Sequence, residues 1–287
     1  MSHFDGSNVT VLNIIKNQKI YLLSDLHWDN PHCELGYLKK TLDKAKKENA
    51  KVIINGDFFC LMQGKGDRRG SKSDIREEHN KGIYFDAVVN TAVEWFKPYA
   101  HLIEMIGYGN HETSVLRYHE TDILERFITL LNYATGANVQ RGGYGGWVAL
   151  RIHDSEEGKH RSTFTINYHH GWGGGGPVTH GVIQHARKQT VVENADCIWL
   201  GHTHSCYILS SGSERFLSYN NGYKVKKSVI WNLRTPSFKE EHTLDHKGFQ
   251  GQNNNSNKVI GYVELFFTGT HHIGYDANFT PVVYKTY

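Results

Sequence analysis

Four short apolar runs in this sequence each stop on residues that resist burial, and that pattern limits the possible folds more than any other feature. Residues 20–23 run into Asp25 and His27, and residues 51–55 into Gly56-Asp57. Residues 101–106 lead to Gly109-Asn110-His111-Glu112, and residues 196–200 to Gly201-His202-Thr203-His204. A short aliphatic run flanked by turn signals reads as a buried strand. A fifth segment, residues 162–168, delivers His169-His170-Gly171 in the same manner. Polar groups just past the carboxyl ends of neighbouring strands in an open α/β sheet converge on one crevice.

The intervening segments supply helices and further strands. Leu35, Leu38, Leu42 and Ala45 recur at three- and four-residue steps, with Lys39, Lys40, Lys44, Lys46 and Lys47 on the other faces of a helix. Further helices are expected over 84–96, over 121–133 with Ile123, Leu124, Phe127 and Leu131 inward, and from Pro177 to about residue 193, proline being suited to a first helical turn. Strands are expected at 9–15 and 147–152, then 207–209, 227–233, 260–267 and near Val282, with a loop over 246–258. Helices alternate with strands first and strands dominate later, which describes layered sheets with helices outside. One domain over 1–287 is expected, with a polar insertion at about 60–82 and a strand-rich part from about 207. The insertion carries Lys65, Arg68, Arg69, Lys72, Arg76 and Lys81 against four acidic residues. Such a loop either touches substrate phosphates, Arg68 and Arg69 foremost, or is simply solvated.

Composition excludes several classes. A hydrophobic share of 39% and a mean hydropathy of −0.52 describe a soluble protein. No apolar run nears the ~18 residues needed to span a bilayer, and the first residues lack the pattern of a signal peptide, so a cytoplasmic location without a membrane partner is expected. Cys33, Cys60, Cys197 and Cys206 form no C-x-x-C pair, which favours free thiols. The net charge of +3 leans basic without demanding a polyanionic partner.

Two residues apart on extended backbone point the same way, so Asp25 and His27 can grip one object, and a carboxylate with an imidazole suits a metal ion. Aspartate charge combined with imidazole donors fits manganese, iron, cobalt, nickel or zinc better than calcium. Gly-Asn-His-Glu arises by accident in about one such chain in a hundred. All five signals, in order and each at a strand end, are therefore a single pattern.

That pattern resembles the calcineurin-like metallophosphoesterases, whose motifs are Asp-x-His, Gly-Asp, Gly-Asn-His-(Asp or Glu), a lone His, and Gly-His-x-His. The resemblance covers about residues 20–205. It implies a four-layer α/β/β/α sandwich of two central mixed sheets flanked by helices. It also implies two divalent metal ions, manganese first among the candidates, with Asp25, His27 and His204 on one, Asn110, His170 and His202 on the other, and Asp57 bridging. His170 is preferred to His169 because the family's lone histidine is often followed by glycine. In-line attack on phosphorus by a hydroxide between the ions would follow, with His111 and Asp57 as the catalytic pair, His111 facing the leaving group and Glu112 orienting what surrounds it.

Protein phosphatases of this family extend the second motif to Gly-Asp-x-x-Asp-Arg-Gly, whereas this chain reads Gly56-Asp57-Phe58-Phe59-Cys60-Leu61-Met62. It looks closer to the branch of nucleases and cyclic-nucleotide phosphodiesterases. The expected activity is a phosphodiesterase on nucleic acid or a nucleotide. A phosphomonoesterase, which needs a closed pocket with extra cations, and a non-catalytic scaffold are the alternatives. Trp28, Phe58, Tyr108 and Trp172 either stack on a base or pack in the core. The glycines from Gly171 to Gly176 either present N–H groups to a phosphate or act as a hinge. His180 and His185 either line the pocket or lie on the surface.

Overall fold

The computed structural model describes residues 8–61, 75–174, 179–219, 222–240, 258–270 and 274–284. In chain order its elements are β1 (Val9–Ile15), β2 (Ile20–Leu23), α1 (Leu35–Lys47), β3 (Lys51–Ile54), α2 (Tyr84–Phe96), β4 (Ile103–Ile106), α3 (Asn110–His119), α4 (Ile123–Thr135), β5 (Gln140–Arg141), β6 (Gly145–His153), β7 (His160–His169), α5 (Val182–Gln189), β8 (Cys197–Leu200), β9 (Tyr207–Tyr219), β10 (Gly222–Arg234), β11 (Ile260–Thr270) and β12 (Gly274–Tyr284).

Two six-stranded mixed sheets result, one ordered β1-β6-β7-β8-β10-β9 and the other β12-β11-β2-β3-β4-β5. Their facing sides share one core: Leu12, Leu150, Ile166 and Trp199 of the first sheet meet Leu22, Ile53, Met105 and Val263 of the second. The opposite face of the second sheet, through Tyr21, Leu23, Val52 and Ile54, is covered by Leu38 and Leu42 of α1, Val88 and Phe96 of α2, and Phe127 of α4. Alternate residues of β2 therefore serve two cores, which is why Ile20–Leu23 is apolar throughout and buried at every position. Helix α5 lies against the outer side of the first sheet, where His185 Nε2 donates to Leu233 O. The layers are thus helix, sheet, sheet, helix, the four-layer arrangement expected from the sequence. Among the described residues no helix is long and apolar enough to cross a membrane.

Several boundaries differ from expectation. Helix α3 begins at Asn110, inside the motif, and Glu112 in its first turn accepts from Gly109 N at 2.9 Å. The expected 207–209 and 227–233 strands are the body ends of a hairpin of two 13-residue strands. Helix α5 starts at Val182 after a left-handed Gly181, so Pro177, which lies outside the described residues, is not in its first turn. The insertion at 62–74, with Arg68 and Arg69, and most of the 246–258 loop also lie outside them. The insertion's described end is not solvated throughout: Ile75 and His79 are buried, and His79 Nε2 bonds Thr91 Oγ1 at 2.8 Å.

Candidate metal centre

Strands β2, β3 and β4 are mutually parallel, as are β7 and β8, so each sheet carries its ligand candidates to one end. There the two sets meet. His204 Nε2 lies 3.2 Å from His27 Nε2 and 3.4 Å from Asp25 Oδ1. His170 Nε2 lies 3.1 Å from Asp57 Oδ2 and 3.2 Å from Asn110 Oδ1, which is itself 2.7 Å from His202 Nδ1. At 3.9 Å from Asp25 Oδ1, His170 Nε2 also links the two sets. Two donors about 2.1 Å from one cation at tetrahedral or octahedral angles are about 3.0–3.4 Å apart. The spacing and the nitrogen–oxygen chemistry of these donors therefore fit divalent cations. Asp25, His27 and His204 form one group able to hold an ion, and Asp57, His170 and His202 form a second. A third combination, His27, His111 and Cys60, brings in a thiol that the motifs did not flag.

The chain reaches this geometry through unusual backbone. Asp25, His27, Asp57, His202 and His204 all have positive φ, between 46° and 71°. Left-handed conformations cost an L-residue free energy and persist where surrounding structure enforces them, commonly at functional sites. Asp25 and His27 come together in this way, rather than as neighbours on one face of an extended strand, because β2 has already ended at Leu23. Two glycines make the approach possible. A Cβ on Gly56, at φ 76°, would lie 2.5 Å from His170 Nδ1, and a Cβ on Gly109 would lie 2.0 Å from Asp57 Oδ1.

Electrostatics follow from burial and proximity. Burial alone would raise the carboxyls of Asp25 and Asp57, but the His170 imidazole outweighs it, helped by His204 at Asp25 and His111 at Asp57, and both stay below their ordinary values. Burial opposes a charge on His170 itself, yet Asp57 and Asp25 lift it to about 9. His27 is held well below its usual value by burial and then by His111, and His202 is lowered by burial and then by His170. Two carboxylates beside neutral His27 and His202 and a protonated His170 make a site that can exchange a proton for a cation.

A second ring of groups fixes this one. His111 N donates to Asp57 Oδ1 at 3.0 Å from the first turn of α3, where the helix dipole also favours the carboxylate. The His111 Nδ1–H donates to Cys60 O, turning Nε2 towards Asp57 Oδ2 at 3.9 Å. Buried Glu112 accepts from Phe59 N at 2.8 Å as well as from Gly109 N, tying the second motif to the third. Burial and then Asp57 push its carboxyl up to about 8. Asp29 accepts from the Cys60 and Leu61 amides. Fully buried Arg234 donates to Gly201 O at 2.7 Å, to Thr203 Oγ1, to Gln184 Oε1 at 2.6 Å and to Tyr207 Oη at 3.1 Å. Neither Asp29 nor Arg234 stands in a motif, and only their three-dimensional partners reveal them.

Of the other candidates, Trp172 is 37% exposed, its ring 5.3 Å from that of His169. His169 packs behind the centre, its Nδ1 accepting from Gly171 N. Trp28, Phe58 and Tyr108 are buried, Trp28 under the Arg76 guanidinium and Tyr108 with its hydroxyl on Asp122. His185 is buried, neither lining the centre nor on the surface, while exposed His180 joins His204 in the wall of a cavity of about 330 Å³. Gly173 and Gly174 are exposed, and residues 175–178 lie outside the described set.

Neither a protein-family model nor a curated relative matches the chain. Among solved structures, the crystal structure of Chaetomium thermophilum Vps29 is similar, at 11% identity and a TM-score of 0.35, over 94% of this chain and 97% of that one.

Proposed function

We propose that this protein is a di-metal phosphodiesterase acting on nucleic acid or a nucleotide. The observation that carries this reading is the convergence, at ligand spacing, of carboxylates, imidazoles and the Asn110 amide from five separate strand ends. Asp25, His27 and His204 would hold one ion and Asn110, His170 and His202 the other, with Asp57 shared. Manganese is the first candidate, with iron, cobalt, nickel and zinc also suited to the donors. Two such cations, when bound, supply a water that deprotonates near neutral pH and neutralise charge on the phosphoryl oxygens.

The chain's own groups do the rest. His111, locked through Nδ1, presents Nε2 where it can give a proton to the leaving oxygen or steady its charge. Asp57, held by the His111 amide, keeps its orientation as the substrate arrives. The cavity lined by His180, Val182, His204, Tyr207 and Lys258 adjoins the centre through His204 and has room for one of the two groups esterifying a diester. Exposed Trp172, whose carbonyl accepts from Gln184 of α5, offers a face for a base. Cys60 and Leu61 are buried where protein phosphatases carry an acid and an arginine, which speaks against a phosphoprotein substrate. Buried thiols at Cys33, Cys60 and Cys197 suit a reducing, cytoplasmic setting, and the chain is read as one domain.

The test strips the protein of metal, restores Mn²⁺, and compares bis-p-nitrophenyl phosphate with p-nitrophenyl phosphate. Faster cleavage of the diester is expected. A preference for the monoester reverses the ranking, and metal binding without hydrolysis of either leaves a scaffold.

A further inference from the structure

Strands β9 and β10 pair without interruption from Tyr207 opposite Arg234 to Tyr219 opposite Gly222. The body end of this hairpin is gripped on both faces. Leu233 and Trp231 belong to the core between the sheets, while Asn232 and Arg234 bond to Gln189 and Gln184 of α5. Residues alternate faces along a strand, so Lys226 and Lys224 continue the face that α5 covers, and Val229, Val225 and Tyr223 continue the core face. Directly opposed residues share a face, which adds Arg215, opposite Lys226, to the first and Phe216, opposite Val225, to the second. From Tyr223 to Val229 every residue is exposed, so the ribbon projects beyond the body.

The two faces treat charge differently. On the core face Lys227 is paired with Glu214 at 3.1 Å. On the other, Arg215 and Lys226 stand directly opposite each other with Lys224 next to them, and none of the three makes an ion pair among the described residues. Like charges directly opposed across strands are destabilising, and a two-stranded ribbon has little stability to spare. Three cations held together on an exposed ribbon complement a polyanion whose charges are closely and regularly spaced.

We propose that the outer face of the β9–β10 hairpin, through Arg215, Lys224 and Lys226, binds the phosphodiester backbone of a nucleic acid. Lys226 is eight residues from Arg234 along β10, roughly 27 Å at about 3.4 Å per residue. Arg234 itself bonds the loop that carries His202 and His204. A mononucleotide cannot reach from that loop to the cations, whereas about eight base pairs of duplex span the distance. The inference rests on the phosphodiesterase reading only in making the bound polymer the substrate, and it narrows that reading from any nucleotide to a chain.

The experiment measures binding with chelator present, so that it does not depend on hydrolysis. Labelled DNA and RNA oligonucleotides of about 30 residues, single- and double-stranded, are titrated by fluorescence anisotropy across a salt series. The probes meet wild type, R215Q/K224Q/K226Q and the charge-keeping R215K/K224R/K226R, with the thermal midpoint of each confirming the fold. The glutamine variant should bind at least about tenfold more weakly, with a plot of log affinity against log salt shallower by about 2 to 3. The charge-keeping variant should match wild type. Equal affinity and slope in all three proteins overturn the proposal. So does wild type that ignores every oligonucleotide but binds polyglutamate, an outcome that gives the face to an acidic protein instead. An affinity difference in a protein that hydrolyses nothing keeps the surface and removes only the hydrolase reading.

Discussion

The Nε2 atoms of His27 and His204 face each other at 3.2 Å although 177 residues separate them in the chain. Burial and the nearby His111 keep His27 neutral, so its ring offers a lone pair rather than a proton, which is the state a metal requires. His27→Ala or His204→Ala should each lower bound metal by about one ion per chain in elemental analysis. Saturating Mn²⁺ should stabilise the wild type by about 2.7 kcal/mol at a hundredfold excess over the dissociation constant. Two ions retained in His27→Ala would remove His27 from the centre.

His111 touches the centre without joining either metal group that contains Asp25 or Asp57. Its Nδ1 is committed to Cys60 O. His111→Ala should therefore keep its metal content while turnover of bis-p-nitrophenyl phosphate falls by about 10²- to 10⁴-fold, the usual range for a lost acid–base group. Metal loss in step with activity would make it a ligand instead.

Gly109 has ordinary extended φ, −111°, so alanine there is not strained by its backbone. It is barred by Asp57, whose Oδ1 would lie 2.0 Å and amide N 2.3 Å from the new methyl. Gly109→Ala should cost about 1–3 kcal/mol in denaturant unfolding, as overpacking does, and should displace Asp57 enough to weaken metal binding. Wild-type stability and stoichiometry in this variant would show that the third motif can move.

The strand ends were legible because an apolar run that stops on Asp or His leaves a sharp edge in sequence: β2 and β8 read correctly for that reason. The left-handed backbone at Asp25 and His27 was not, since nothing in an L-residue's identity announces positive φ. Helix α3 was masked by the motif that starts it, Asn110-His111-Glu112 being read for chemistry and not for its first turn. The outer halves of β9 and β10 carry no inside–outside alternation, because Lys224, Val225 and Lys226 all face water. Arg234 was invisible for another reason: Gln184, Gly201, Thr203 and Tyr207, which satisfy it, are scattered through the chain.

Arg234 is the residue whose loss should separate support from coordination. Removing a buried group that satisfies several acceptors leaves them unpaired, at about 1–3 kcal/mol each at most. Arg234→Met should lower the denaturation midpoint and, by loosening the Gly201–His204 turn, weaken both ions together, whereas Arg234→Lys, with fewer donors, should fall between. A destabilised Arg234→Met with unaltered metal affinity would confine Arg234 to holding α5 against the sheet.

His185 gives the fold a pH dependence of its own. Its Nε2–H donates to Leu233 O and its Nδ1 accepts from Tyr207 Oη, which in turn accepts from Arg234 Nε. Protonation would turn Nδ1 into a donor facing a hydroxyl that now donates to it. Burial, and then the Arg234 charge, lower its pKa from 6.5 to about 4. Between these values the unfolded chain binds a proton that the folded one refuses, so stability from this group is complete above pH 6.5 and is lost as pH falls towards 4, by up to about 3 kcal/mol. Acid also titrates the carboxylates, so the measurement is a difference. Urea unfolding of wild type and His185→Gln, whose amide can donate and accept in the same two directions, is followed from pH 7.5 to 4.5. The stability advantage of wild type should shrink steadily below pH 6.5, because only the variant lacks the group that protonates on unfolding. Two parallel curves would mean that His185 takes up its proton without leaving the fold.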